Sequence, residues 1–258
     1  MSDESQLIIY AGGTDKGLVR EQNEDSILCC SFEHSDVSLL VVADGVGGHE
    51  GGAIASKLAV DSIKKSISNA VLLAHSGGGY AENWLELSLH HAIDEANKEL
   101  LEQQVKQPEL RHMATTVVAL LVLENEAALC HLGDSRFYEF KKPVITQITE
   151  DHTVLQKLLN EGKIDREQFE ELPMHHMISQ ALGLVDAIEI ETNRFRLQEK
   201  FEYLLCSDGL TNCLTDAEIA EILSSYNDLD DCVDQLITQA NDNGGVDNVS
   251  VVVLKLKP

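Results

Sequence analysis

Four aspartates of this chain recur in one local setting. Asp44 follows Val41-Val42-Ala43 and precedes Gly45, Asp134 lies in His131-Leu132-Gly133-Asp134-Ser135-Arg136, Asp208 stands between Leu204-Leu205-Cys206-Ser207 and Gly209, and Asp247 sits in Gly244-Gly245-Val246-Asp247-Asn248-Val249. Each marks the junction of an apolar run with a turn, with glycine close by. A strand end fixes the direction of a carboxylate, and glycine lets the backbone approach whatever is bound. One such aspartate is an ordinary turn residue. Several aimed at one place repel one another unless a cation neutralises them. Oxygen donors without a Cys/His cluster at metal-ligand spacing point to Mg²⁺ or Mn²⁺ rather than zinc or copper.

A second motif precedes them. Asp15-Lys16-Gly17-Leu18-Val19-Arg20-Glu21-Gln22-Asn23-Glu24-Asp25 sets the Arg20 guanidinium among acids, in a chain with 19 Lys+Arg against 44 Asp+Glu. Its planar five-donor fork suits an oxyanion such as phosphate. Two divalent ions roughly 3.5–4 Å apart lower the pKa of a bridging water, which makes hydroxide available for in-line attack on phosphorus with no phosphoenzyme. A serine or cysteine nucleophile is not expected, because neither a GxSxG elbow nor a cysteine in an oxyanion loop such as CxxxxxR is read in the chain.

Taken in order, Arg20-x-x-Asn23-Glu24-Asp25, Asp44-Gly45-Val46-Gly47-Gly48-His49, Ala114-Thr115-Thr116, Gly133-Asp134-Ser135-Arg136, Asp151-His152, Ala181-Leu182-Gly183, Ser207-Asp208-Gly209-Leu210 and Asp247-Asn248 resemble the metal-dependent PP2C-type serine/threonine protein phosphatases in their compact bacterial form. The resemblance implies a four-layer αββα sandwich, two antiparallel sheets flanked by helices, with two core metal ions between the sheet edges and a weaker third. It implies that Asp44 bridges the two ions, that the Gly45 carbonyl binds one, and that Asp208 and Asp247 hold the other. Asp25 would act through a metal-bound water, with Glu24 the second choice. Asp134, with Asp208, would serve the third ion, and Arg20 would clamp the substrate phosphate. The implied substrates are phosphoserine and phosphothreonine in proteins, those of a cognate Ser/Thr kinase in a signalling pathway.

Three positions depart from the family pattern. Val46 stands where eukaryotic members often carry His, which leaves His49 as the nearest proton donor to the leaving alkoxide. Asn212 replaces a second Asp at the third metal, and Ala114 replaces a Gly before the threonine pair. Adjacent histidines point apart, so His90-His91 and His175-His176 are expected to be structural or solvated. His152 is expected to shape a turn, and Trp84 to pack a helix.

The elements that must position these residues are legible from periodicity. Strands are expected at 7–11, 26–30 and 37–43, followed by a glycine-rich turn at 45–52. A helix follows with Ala55, Leu58, Ala59, Ile63 and Ile67 on one face, then a flexible linker at 75–80 and a helix over 83–102 carrying Leu85, Leu89, Ala92, Ala96 and Leu100. An antiparallel meander is expected over 115–123, 127–132, 137–140 and 144–148, then an inserted flap at about 153–180. A strand at 201–206, a capping box at Thr215-Asp216-Ala217-Glu218, a helix carrying Leu229, Val233 and Leu236, and a strand at 249–256 complete the chain. Consecutive blocks of strands favour α+β over a doubly wound sheet.

Composition limits the partners. A length of 258 residues with 43% hydrophobic content suits one domain, taken as 1–258. A net charge of −25 repels a nucleic-acid backbone. The longest apolar runs are strand-sized, short of the roughly 20 residues that span a membrane, and the first six residues lack a signal-peptide pattern. A cytoplasmic monomer is expected, its six cysteines free and mostly buried. Two other readings share these features: a phosphopeptide-binding pseudophosphatase, which would need a broken metal set, and a two-metal hydrolase of small phosphates, which would differ in the pocket.

Overall fold

An apolar run with polar residues only at its ends makes a strand that must be covered on both faces, and Val37–Val46 is such a run. Leu39 and Val41 of this strand, β3, point into one apolar cluster, while Leu40 and Val42 point into another. The computed structural model describes residues 7–47, 51–174, 176–185 and 188–257. In it β3 lies second in a sheet of β2 (Asp25–Ser31), β3, β5 (Val117–Leu123), β6 (Glu126–Leu132) and β9 (Thr192–Arg196), with β4 (Ala114–Thr115) paired to its end. A second sheet runs β1 (Ile8–Asp15), β11 (Val249–Leu256), β10 (Glu202–Cys206), β7 (Arg136–Lys141) and β8 (Val144–Gln147). All the pairings are antiparallel.

Three cores make four layers. Helices α1 (Gly51–Gly77) and α2 (Trp84–Lys106) cover the β3 sheet through Ala59, Ile63, Leu89 and Ile93. Leu40, Leu120, Tyr203 and Val252 fill the space between the sheets. On the far side, α5 (Asp208–Thr211), α6 (Asp216–Ser225) and α7 (Leu229–Asp242) cover the β11 sheet through Leu210, Ile219 and Leu236. Each such side chain contributes about 1.5–3 kcal/mol by leaving water, so neither sheet could keep its outer face bare. This is the αββα sandwich that the motifs implied. The capping box is formed, with the Thr215 side chain accepting from the Glu218 N–H and Glu218 reaching back to Thr215.

Three local expectations are corrected. The meander does not stay in one sheet: β6 pairs with β5 and β9, whereas β7 pairs with β10 and β8. The chain changes sheets at Gly133, whose φ of +107° and whose hypothetical Cβ, 2.6 Å from the Thr116 side chain, admit only glycine. β9 was not anticipated, because Thr192-Asn193-Arg194-Phe195-Arg196 is an exposed edge strand with little apolar alternation. Helix α1 runs through His75 to Gly77, so the linker reduces to the glycines at 78 and 79 and the few residues after them. The segment read as a flap contains two short helices, α3 (Val154–Asn160) and α4 (Arg166–Glu171), and a Thr153–Ile178 bridge draws its two ends together. The described cysteines are free, with Cys130, Cys206 and Cys232 buried. Among the described residues no helix is long and apolar enough to cross a membrane.

Candidate metal centre

Antiparallel neighbours bring chain ends together. β3 ends where β2 begins, and β10 ends where β11 begins, so both sheets deliver aspartates to one end of the sandwich. Asp25 and Asp44 are register partners across β2 and β3. Side chains of such partners share a face at about 5 Å between Cβ atoms, where two like charges are destabilising. Asp208 opens α5 after β10, Asp247 precedes β11, and Asp134 occupies the turn that links the sheets. Arg20, Glu24, Asp44, Gly45, Asp134, Asp208 and Asp247 line one cleft of about 1440 Å³, whereas Asp25 is buried.

Asp25 and Asp208 are held by their carboxylates, and Asp44 by its backbone. Asp25 Oδ2 accepts from Ser207 Oγ at 2.8 Å, and that hydroxyl accepts from the Ser250 N–H at 2.9 Å. The threonine pair serves the Asp44 backbone: Thr115 Oγ1 donates to its carbonyl at 2.8 Å, and Thr116 Oγ1 accepts from its N–H at 3.0 Å. Asn212 Nδ2 donates to Asp208 Oδ2 at 3.0 Å. Asn212, which departs from the family pattern, therefore holds one oxygen of a carboxylate expected to bind metal. Gly45 and Gly209 permit close backbone approaches in the site, since a Cβ would lie 2.1 Å from the Gly52 carbonyl oxygen at the first and 2.0 Å from the Asn248 carbonyl oxygen at the second.

Burial and mutual repulsion dominate the electrostatics. Burial first, then Asp208 and Asp247, push the Asp25 carboxyl up to about 7, against hydrogen bonds from Ser250 and Ser207 that lower it. Asp134 is likewise pushed to about 7 by burial and the charge of Asp208. Asp44 is raised by burial and then by Asp25, Asp208, Asp134 and Asp247; Asp208 is raised by burial and Asp247. Among the described residues, no group of three acidic, His or Cys side chains forms a finished metal cage. Asp25 Oδ1, Asp134 Oδ1 and Asp208 Oδ1 are nonetheless buried without a hydrogen-bond partner. Buried lone pairs on acceptor-only groups need a donor or a cation, so these oxygens fit hard divalent ions.

Arg20 Nη2 pairs with Asp247 Oδ2 at 2.6 Å, with the guanidinium half exposed. The expected phosphate clamp is thus tied to an expected metal ligand. His49 lies outside the described residues, as do His175 and the first six residues. His176 was expected to be structural or solvated; it is exposed, and it lines the cleft. His90 and His91 are exposed on α2, and Trp84 packs edge-on against Tyr80.

Sequence reasoning overlooked three features. Asn248 is a buried hub: its Oδ1 accepts from the Glu24 N–H at 2.8 Å, and its Nδ2 donates to the Lys16 and Gln22 carbonyls at 2.8 and 3.0 Å, which shapes the loop that carries Arg20. The signals for it are its place in the Asp247-Asn248 motif and a carboxamide set between a loop and a strand start. His152 does shape a turn, and it also stacks on His131 at 4.4 Å and accepts from the Gly133 N–H at 3.3 Å, next to Asp134; burial and then His131 lower it to about 4. Finally, Cys130-x₅-Arg136 has the spacing of a thiolate phosphatase loop, which the expectation above passed over. Burial raises the Cys130 thiol to about 12 within β6, and Arg136 is held by both oxygens of Asp151, so the pair supplies no nucleophile.

Two sheets that meet at a set of carboxylates, with a guanidinium at the rim, offer donors of the kind that suit divalent cations and phosphate. Residues 15–250 match the family model of Protein phosphatase 2C, and the chain belongs to that family of phosphoprotein phosphatases. It is 36% identical over 247 residues to the Serine/threonine phosphatase stp of Listeria innocua, covering 94% of this chain and 93% of that protein. Serine/threonine phosphatase Stp1 from Staphylococcus aureus superposes with a TM-score of 0.85 at 29% identity, covering 100% of both chains. The catalytic domain of serine threonine protein phosphatase PstP, in complex with 2 manganese ions, superposes with a TM-score of 0.80 at 33% identity, covering 97% of this chain and 99% of that one.

Proposed function

We propose that this phosphatase hydrolyses phosphoserine and phosphothreonine in proteins by direct, metal-assisted attack of water on phosphorus. The observation that carries the proposal is the convergence of aspartates from both sheets, three of whose buried oxygens have no partner. Asp44 and the Gly45 carbonyl would hold one ion, and Asp44, Asp208 and Asp247 the other. Asp25 would act from behind through a water, and Asp134 with Asp208 would bind a weaker third. When bound, two Mn²⁺ or Mg²⁺ ions supply hydroxide near neutral pH and neutralise charge on phosphate.

The chain's own residues do the rest. Ser207 and Asn212 fix carboxylate orientation, and the threonine pair fixes the Asp44 backbone. Arg20, paired with Asp247 in this structure, would be freed were that carboxylate to hold a cation, and its two-donor edge would then grip the phosphate. His49 is the proposed proton donor to the leaving alkoxide. The whole chain would act as one domain, as a cytoplasmic monomer opposing a Ser/Thr kinase, with the 153–180 segment as a flap over the cleft.

The test is hydrolysis of p-nitrophenyl phosphate and a phosphothreonine peptide with and without Mn²⁺, alongside Asp208→Ala. Metal-dependent turnover, and a calorimetric Mn²⁺ isotherm that loses amplitude in the variant, are expected. Folded wild-type protein without turnover at saturating metal would refute the proposal.

A further inference from the structure

The cleft is far larger than a phosphoryl group needs, and its walls are not like its floor. Val246, Leu184, Met177 and Val46 line it with 50%, 50%, 51% and 43% of their surface exposed. Leu18 and Val19 extend the Val246 wall, since both of their backbone N–H groups donate to the Gly245 carbonyl, at 2.8 and 3.2 Å. Large apolar side chains gathered at a polar site mark a surface that binds something apolar.

Both walls are held in place. Leu184 sits on a segment pinned from α2: Asn97 Oδ1 accepts from the Gly183 N–H at 2.8 Å, its Nδ2 donates to the Val185 carbonyl at 3.1 Å, and Gln104 donates to the Gly183 carbonyl at 2.7 Å. The Leu18, Val19 and Val246 wall is fixed by the Asn248 hub and the Gly245 carbonyl. A preorganised wall loses little entropy when it is covered. Glu21 and Glu24 stand at the same cleft, where Arg20 is the sole Lys or Arg among the described lining residues. An acidic neighbour of the phosphate, or the further phosphates of a nucleotide, would therefore meet repulsion there.

We infer that the substrate is a polypeptide segment whose phosphoresidue is flanked by aliphatic rather than acidic side chains, seated on the Val246–Leu18 wall and the Leu184–Met177 wall. The inference rests on the phosphatase reading above and specifies its substrate. The test compares kcat/KM, in Mn²⁺, for phosphothreonine peptides of one length with Leu, Ser or Glu on both sides of the phosphoresidue. Leu-flanked peptide should exceed Glu-flanked peptide by about tenfold or more, the yield of partly burying one aliphatic side chain. Leu184→Lys and Val246→Lys should each shrink that ratio several-fold; the ratio cancels any general loss of activity in a variant. Equal rates across the peptides, a Glu preference, or a ratio unmoved by both variants would overturn this inference alone. Faster turnover of nucleotides than of any peptide would also overturn it. No phosphopeptide turnover at all would overturn the functional reading, and this inference with it.

Discussion

Replacing Asp134 by Asn should make the metal-free protein more stable, and by an amount that depends on pH. Native Asp134 titrates at about 7 instead of 3.8, because it is buried and faces the charge of Asp208. At about 1.36 kcal/mol per pH unit, that difference is worth about 4 kcal/mol between the two protonation states. The folded value lies above the unfolded one, so the native state holds its proton more tightly. Stability associated with this carboxyl is therefore greatest below pH 4 and is lost as pH rises from about 4 to about 7. Above pH 7 the folded protein carries the whole repulsion. Allowing half for local relaxation and water, the Asp134→Asn variant should be more stable than wild type by roughly 2 kcal/mol at pH 8, or about 4 °C in Tm for a chain of this length, and by less than half of that at pH 5. The assay is thermal unfolding in EDTA at pH 8 and pH 5, repeated with saturating Mn²⁺. In the metal the sign should reverse for any ion that Asp134 helps to hold, because a ligand bound only by the native state stabilises it by mass action. A lower Tm for Asp134→Asn in EDTA at pH 8, or a shift of the same size at both pH values, would refute the reasoning.

Two further substitutions probe how the site is held. Asn248→Ala strips three hydrogen bonds from the 16–24 loop and should cost about 2 kcal/mol in urea unfolding while raising KM for phosphopeptide through Arg20; a variant as stable and as active as wild type would contradict the hub assignment. Gly45→Ala would drive a methyl to within 2.1 Å of the Gly52 carbonyl, forcing β3 and α1 apart at a cost of about 3 kcal/mol; an unchanged Tm would mean that this contact relaxes freely.

Residue chemistry and local order were legible in the chain itself. The strand-to-turn aspartates, the Arg20 loop, the capping box at Thr215 and the apolar face of α1 are short-range patterns, because turn geometry and periodicity depend on neighbours in sequence. They sufficed for the α+β class and, through the family resemblance, for the αββα sandwich and for Arg20, Asp44, Asp134, Asp208 and Asp247 of the cleft. What only the tertiary structure decided involves long separations: Arg20 is bound to Asp247, 227 residues away, and Asn248 closes a loop that begins 232 residues before it. Which sheet β7 joins, which carboxyl is buried deepest and which oxygens lack partners likewise follow from strand pairing across the chain. Local propensity carries no record of such pairing, since each partner is set by how whole layers bury their apolar faces.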